Sequence, residues 1–373
     1  MEERASPLEN LVTCMPSPTF WQHKNVFLTG HTGFMGGWLS SLLLQLGARV
    51  TGYALAAPTE PSFCAAVNLV DRINQSVIGD IRDLDRLTAA LTAAAPEVVF
   101  HLAAQPLVLL ANAEPALTYS VNVMGTVHLL EAARKAPSVK AIIVVTTDKV
   151  YRNHNRVWPY RESDTLGGIE PYSSSKACAE HVLDAYRNVY FRSLDDDRPG
   201  IGLASIRAGN VIGGGDWAAD RLVPDAIRAF QQGNALTLRH PASTRPWQHV
   251  LDPLPGYLTL AERLVRAPAA FSTGWNFGPA TSDAQPVGTV AQRMADLWGD
   301  GAKIVIQNDA RIFEEILLAL DSSKAQAELK WQPAWPLDRA LERTIGWYKD
   351  FYAGKDVWAL TQRQIADLLE GAA

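Results

Sequence analysis

From about Phe20 onward, short apolar runs rich in Val, Ile and Phe alternate with longer stretches whose apolar residues recur at helical spacing. The runs predict strands at Val26–Thr29, Arg49–Tyr53, Val77–Ile78, Val98–His101, Ala141–Thr146 and Gly202–Arg207. The stretches predict helices at Phe34–Leu46, Leu84–Ala94, Leu117–Arg134 and Tyr172–Phe191. Strand–helix alternation marks βαβ units and a parallel sheet, and strands apolar on both faces are those buried between two helix layers. The expected fold is α/β: a Rossmann-type doubly wound parallel sheet.

After Arg207 the pattern loosens into Gly213-Gly214-Gly215, a helical stretch Leu222–Gln232, a short strand Leu236–Arg239 and loops rich in Pro and Trp. This predicts a smaller α/β substrate-binding lobe formed by 208–245 and 279–355. Helix Pro253–Val265 and strand Trp275–Phe277 return the chain to the first domain, 20–207, over about 246–278. Residues 1–19 are expected to be a loosely held extension, 337–352 a packed terminal helix and 356–373 a tail.

A formal net charge of -5 gives no electrostatic reason to bind nucleic acid or an anionic membrane, so the expected partner is a small molecule. The 3 cysteines, Cys14, Cys64 and Cys178, are far apart, which argues against a disulfide framework and a metal site. The N-terminus is acidic at Glu2 and Glu3, and no apolar run reaches the roughly 20 residues of a membrane span. Cytoplasmic residence is the expectation.

Gly30-x-x-Gly33-x-x-Gly36 follows the first strand and opens a helix, the context that makes a glycine pattern a dinucleotide phosphate turn. Gly30 permits the turn, Gly33 admits a pyrophosphate, Gly36 lets the helix pack on the strand, and the helix N-terminus offers N–H donors, those near Thr32, Phe34 and Met35. The second strand ends in Gly52-Tyr53-Ala54-Leu55, with neither an acid for an adenosine ribose nor an Arg for a 2′-phosphate. NAD is preferred over NADP. Asp80, with Ile81 after it, either contacts adenine or caps the next helix.

Tyr172 and Lys176 stand four apart at the start of a helix, which puts phenol and ammonium on one face. A fixed ammonium is expected to lower the phenol's pKa toward neutrality, making Tyr172 a general base on an alcohol. Thr146-Thr147-Asp148-Lys149 ends the preceding strand, where ligands bind in an open α/β sheet. Thr147 is placed to share the substrate hydroxyl with Tyr172. Asp148 and Lys149 exceed what alcohol oxidation needs and suggest a second proton transfer, such as elimination of water.

These residues resemble the nucleotide-sugar branch of the extended short-chain dehydrogenases, and within it the 4,6-dehydratases. The motifs that carry the resemblance are Thr29 to Phe34, His101-Leu102-Ala103-Ala104-Gln105-Pro106, Asn122 to Thr126, Thr147-Asp148-Lys149, Tyr172 to Lys176, Arg207 to Trp217, and Thr244 to Val250. Lys149 stands where the dTDP-glucose enzymes have Glu. The resemblance implies dehydration of CDP-glucose by oxidation at carbon 4, loss of water across carbons 5 and 6 and reduction at carbon 6. A related nucleotide-sugar dehydratase or 4-epimerase is the alternative.

The resemblance places Leu102, Ala103, Ala104 and Thr146 at the cofactor, and Gln105, Asn122, Asn210 and Arg221 at the substrate. Arg239 and Arg245 are candidates for its phosphates, against surface charge and a core salt bridge respectively. It also implies a homodimer or higher homo-oligomer paired through Leu117–Arg134 and Tyr172–Phe191. The chain departs from the family pattern at Met35, at Leu109, Leu110, Ala111 and Asn112, and at Phe313 to Leu317.

Overall fold

A computed structural model of the chain describes residues 15–193, 200–307 and 317–371. Six parallel strands come first: β1 (Asn25–Thr29), β2 (Arg49–Ala54), β3 (Gln75–Ile78), β4 (Val98–His101), β5 (Ala141–Val145) and β6 (Gly202–Ala208). The lobe then begins with β7 (Asn210–Ile212), β8 (Ala235–Leu238) and β9 (Thr244–His249). After β10 (Gly274–Phe277) come β11 (Ala284–Pro286) and β12 (Lys303–Ile306). The seven-stranded sheet has the order β10-β6-β5-β4-β1-β2-β3, all neighbours parallel. Strands β4, β5 and β6 are buried along their whole length, as helices on both faces require.

The lobe is built from smaller pieces. β11, β9 and β7 form one three-stranded sheet, and β12 pairs in parallel with β8. β9 therefore belongs to the lobe, and the return to the large sheet starts at the helix Pro253–Arg266 rather than near 246. The residues expected as a tail hold a helix, Val357–Glu370, which buries Val357, Ile365 and Leu368. Of the expected extension, 1–14 lie outside the described residues, while Pro18–Trp21 is already helical and Trp21 fully buried.

An aromatic seam joins the two halves. Trp38, on the helix Phe34–Gln45, packs on Phe63 at 5.0 Å between ring centres, and Phe63 stacks on Trp347 at 6.1 Å. Trp347 in turn meets Trp217 at 5.8 Å and Phe351 at 5.7 Å. Trp38 donates its indole N–H to the Gly214 carbonyl at 2.9 Å, and a Cβ on Gly214 would fall 2.1 Å from the Trp347 ring. Gly214 is needed because the indole occupies the space of a side chain, and Gly215, at φ +89°, would press a Cβ to 2.5 Å from the Phe63 ring.

Candidate active site

The phosphate turn has the geometry its glycines predict. Gly30 has φ +84°, and a Cβ there would lie 2.8 Å from the Ala103 nitrogen. A Cβ on Gly36 would fall 2.1 Å from the Gly30 carbonyl oxygen, so the helix can approach the strand only without one. Gly33 is the open position: the nearest atom a Cβ would meet is 3.4 Å away, and no side chain caps the helix that starts at Phe34. The first-turn N–H groups at Phe34 and Met35 thus face the space above Gly33 without helical partners. That open cradle fits a pyrophosphate.

Around the turn, the neighbours hold its shape. The Thr32 hydroxyl donates to the Leu55 carbonyl at 2.9 Å, tying the turn to the end of β2. His31 lies over Gly52, where a Cβ would meet its ring at 2.3 Å, and burial pulls its pKa down to about 4. Leu102 and Ala103 both donate backbone N–H to the Thr29 hydroxyl at 3.2 Å, which sets the strand end, continuing to Ala104, beside Gly30. Asp80 accepts from the Arg82 backbone at 2.8 Å and pairs with its guanidinium, which holds the carboxyl below its usual range. Ile81 is buried, and a Cβ on Gly125 would lie 2.7 Å from it.

The helix Pro171–Val189 begins where the chemistry needs it to. Glu170 accepts the backbone N–H of Tyr172 at 2.6 Å and of Ser173 at 2.9 Å in a capping box, and Pro171 fits the first turn. One turn on, the buried Lys176 ammonium donates to the Val145 carbonyl at 3.1 Å, at the end of β5. Next to that strand end, the Thr147 hydroxyl hydrogen-bonds the Tyr172 phenol and lies 3.0 Å from Asp148 Oδ1. Asp148 is 4% exposed, with its other oxygen against Gly209, and Lys149 is half-buried. The five predicted catalytic residues therefore converge at one strand end and one helix start.

The electrostatics correct one expectation. Tyr172 is not lowered toward neutrality: desolvation and the nearby Asp148 carboxylate push the phenol up to about 12, against the opposing pull of Thr147 and Arg221. Burial instead pulls Lys176 down to about 8. Loss of water is the largest cause at both groups.

Three further candidates are engaged in hydrogen bonds within the protein. Gln105 and Asn122 form a buried pair. The Asn122 side chain accepts the Gln105 N–H at 2.8 Å and donates to the Gln105 carbonyl and to Ser175 Oγ. Gln105 Nε2 donates to Thr118 Oγ1 at 2.9 Å. Asn122 reaches these partners from a π-turn, Ser120–Met124, inside the stretch expected to be one regular helix. The Thr146 hydroxyl donates to Glu180 at 2.7 Å.

The lobe's candidates are less uniform. Arg221 donates to Asp216 at 2.9 Å and its charge reaches the Tyr172 phenol. Asn210 on β7 pairs in register with Trp247 of β9, the strand that also bears Arg245, which donates to the Thr244 carbonyl at 3.0 Å. Arg239 is half-exposed, 3.7 Å from Asp220. Among the departures, Leu109 and Leu110 are exposed on the short helix Val108–Ala113 with Asn112, whereas Phe313 and Ile316 lie outside the described residues.

Glu180, which the motifs did not single out, lies behind the site: it is buried and bridges Arg207 at 2.8 Å, and its place one turn after Lys176 was the available signal.

An uncapped phosphate turn with a Tyr–Lys helix start and a Thr–Asp strand end defines a Rossmann-fold enzyme that performs redox and proton chemistry on a small alcohol. The sequence profile of the NAD dependent epimerase/dehydratase family matches residues 26–274, and the chain belongs to that family. It is 49% identical over 355 residues to a CDP-glucose 4,6-dehydratase of Salmonella typhimurium, covering 95% of this chain and 99% of that one. It is 27% identical to a dTDP-glucose 4,6-dehydratase of Xanthomonas campestris over 86% of this chain and 92% of that one. Its fold matches a dTDP-glucose 4,6-dehydratase from Streptomyces venezuelae with NAD bound, at TM-score 0.74 and 25% identity over 88% of this chain and 98% of that one. A UDP-glucose 4-epimerase from Thermotoga maritima has the same fold, at TM-score 0.76 and 22% identity over 88% and 99% of the two chains.

Proposed function

We propose that this enzyme is a hydro-lyase that uses NAD to convert CDP-glucose into CDP-4-keto-6-deoxyglucose. The observation that carries this reading is near full-length identity of 49% to a CDP-glucose 4,6-dehydratase, with Thr147 and Asp148 set against Tyr172. NAD, when bound, supplies the oxidation at carbon 4, the reduction at carbon 6 and a cationic ring whose charge favours the Tyr172 phenolate. Gly30, Gly33 and Gly36 with the Phe34 and Met35 N–H groups hold its pyrophosphate, and the Leu102–Ala104 strand end lies beside them.

Tyr172 takes the proton of the sugar 4-hydroxyl, which Thr147 also hydrogen-bonds, while Lys176 supplies fixed positive charge. With a ketone at carbon 4 the carbon-5 proton becomes acidic, and Asp148 with Lys149 moves the protons that release the 6-hydroxyl as water. Arg221 and Arg245 bind the diphosphate, for which guanidinium geometry is suited. The enzyme acts in the cytoplasm as a homodimer or higher homo-oligomer; the exposed Met124, Val189 and Tyr190 on or beside the two expected pairing helices support that assembly. Among the described residues no helix is long and apolar enough to cross a membrane.

The test is purified enzyme with CDP-glucose, UDP-glucose and dTDP-glucose in turn. The expected result is a 4-keto-6-deoxy product from CDP-glucose with no net NADH, and Asp148→Asn reducing NAD but stalling before elimination. No keto product from CDP-glucose, or product from another nucleotide in its place, overturns the assignment.

A further inference from the structure

We propose that Glu180 is a positioning residue that keeps the Lys176 ammonium charged in a dry site and fixes the helix bearing Tyr172 against the strand end bearing Thr147. The inference rests on Tyr172 and Lys176 being the working pair. Glu180 stands one turn beyond Lys176 on the same buried face, and its carboxylate is saturated: it accepts Thr146 Oγ1 and Ser205 Oγ, each at 2.7 Å, and Arg207 Nε at 3.0 Å and Nη2 at 2.8 Å. Thr146 is the residue before Thr147, so one carboxylate ties the helix to the catalytic strand end and to β6.

One buried cation, Arg207, pairs with this anion directly, and a second, Lys176, stands one turn away on the same helix. Lys176 itself has a neutral donor–acceptor contact, to the Val145 carbonyl, which does not offset the loss of hydration of an ammonium. The other titratable groups around it are His101 of β4, buried and held neutral with its pKa near 3, Asp148 beyond the strand end, Tyr172, and Arg187 on the same helix. Of these surroundings, Glu180 is the carboxylate that raises Lys176 against the desolvation that lowers it to about 8.

The anchor also extends outward. Arg207 donates to the Tyr151 hydroxyl at 2.9 Å, and Tyr151 donates to Asn276 Oδ1 at 2.7 Å. Asn276 Nδ2 then donates to the Tyr160 and Asp321 carbonyls at 2.9 and 3.1 Å. Those residues join the bridge Tyr160–Leu320, where the segment before the catalytic helix meets the lobe. Glu180 is thus fixed from three sides by Thr146, Ser205 and Arg207, while Lys176, one helical turn before it, is tied to the Val145 carbonyl.

The experiment compares NAD-loaded wild type with Glu180→Gln, Glu180→Asp and the double variant Glu180→Gln/Arg207→Met, which avoids leaving Arg207 as an unpaired buried charge. Two profiles are recorded: kcat against pH with CDP-glucose, and the pH dependence of amine labelling at Lys176 followed by mass spectrometry. In Glu180→Gln the alkaline limb of kcat and the onset of labelling should move to lower pH by about one unit or more, and in the double variant, which also removes the Arg207 charge, in the same direction by less, with KM nearly unchanged in both. Glu180→Asp should restore part of the shift.

Unchanged profiles in variants that fold and retain NAD overturn the proposal. If Glu180→Gln fails to fold, the double variant decides. The labelling profile needs no substrate, so it decides the role of Glu180 even if CDP-glucose proves not to be turned over.

Discussion

The large sheet and the smaller lobe solve different problems with different materials. In the large sheet the cofactor cradle is backbone: an open face at Gly33, a positive φ at Gly30 and uncapped helix N–H groups, with nearby side chains engaged in holding one another. In the lobe the candidate substrate groups are long cationic side chains, Arg221, Arg239 and Arg245, on short elements. A backbone site is fixed by packing and tolerates little change in glycine. A side-chain site can be altered one residue at a time without disturbing the fold. On the proposed assignment the cofactor is held by backbone and the substrate by side chains.

Replacing Tyr172 with Phe tests the sharpest form of that contrast. Turnover should fall by about 10²–10⁴-fold, the usual contribution of a positioned acid–base group, while bound NAD is retained. An active Tyr172→Phe enzyme would mean that the chemistry is not seated at the helix start.

A smaller effect is expected from the lobe. Arg221→Ala or Arg245→Ala should raise KM for CDP-glucose by about 10- to 100-fold, the size of a charge-assisted hydrogen bond to an anion. NAD content should not change. Loss of NAD from either variant, measured on the purified protein, would erase the distinction between the two halves.

The smallest effect is expected at the start of the helix Pro253–Arg266, where it meets Ala334 and Trp335. Asp252 is buried and accepts the backbone N–H groups of Ala334 and Trp335, and burial pushes its carboxyl up to about 7. The folded protein keeps a proton there that the unfolded chain releases near pH 4, so this group's contribution to stability declines as pH rises from about 4 toward 7 and stays lost above it. Asp252→Asn should raise Tm by a few degrees at pH 8 and change it little at pH 4. Equal shifts at both pH values would point to packing rather than proton linkage.

Much of the large sheet was legible because its signals are local. Alternating apolar runs, the three glycines and the Tyr172–Lys176 spacing each fall within one element or turn. The hydrogen bonds of Asn122 and Thr146 were not legible, because their partners lie far along the chain: Ser175 for Asn122, Glu180 for Thr146. The Tyr172 pKa failed for a related reason. Spacing shows that an ammonium is near, but not that both groups are dry. In the lobe, strands of three to six residues such as β7, β9 and β11 are too short to show a period, and β9 reads as well for one half as for the other. The helix Val357–Glu370 carries an amphipathic pattern that its place at the chain's end obscured.

The aromatic seam from Trp38 through Phe63 to Trp347 bears on how such an enzyme can change over generations. It binds the helix that opens on the phosphate turn to the Gly213–Gly215 crossing and to the helix Leu337–Tyr352 near the chain's end. A new lobe exchanged for the old one would have to reproduce ring positions on both sides of the join and keep Gly214 bare. The two halves are thus poor modules for recombination, and a new sugar or nucleotide is more readily acquired by point changes in the loops around Arg221 and Arg245 than by transplanting a domain.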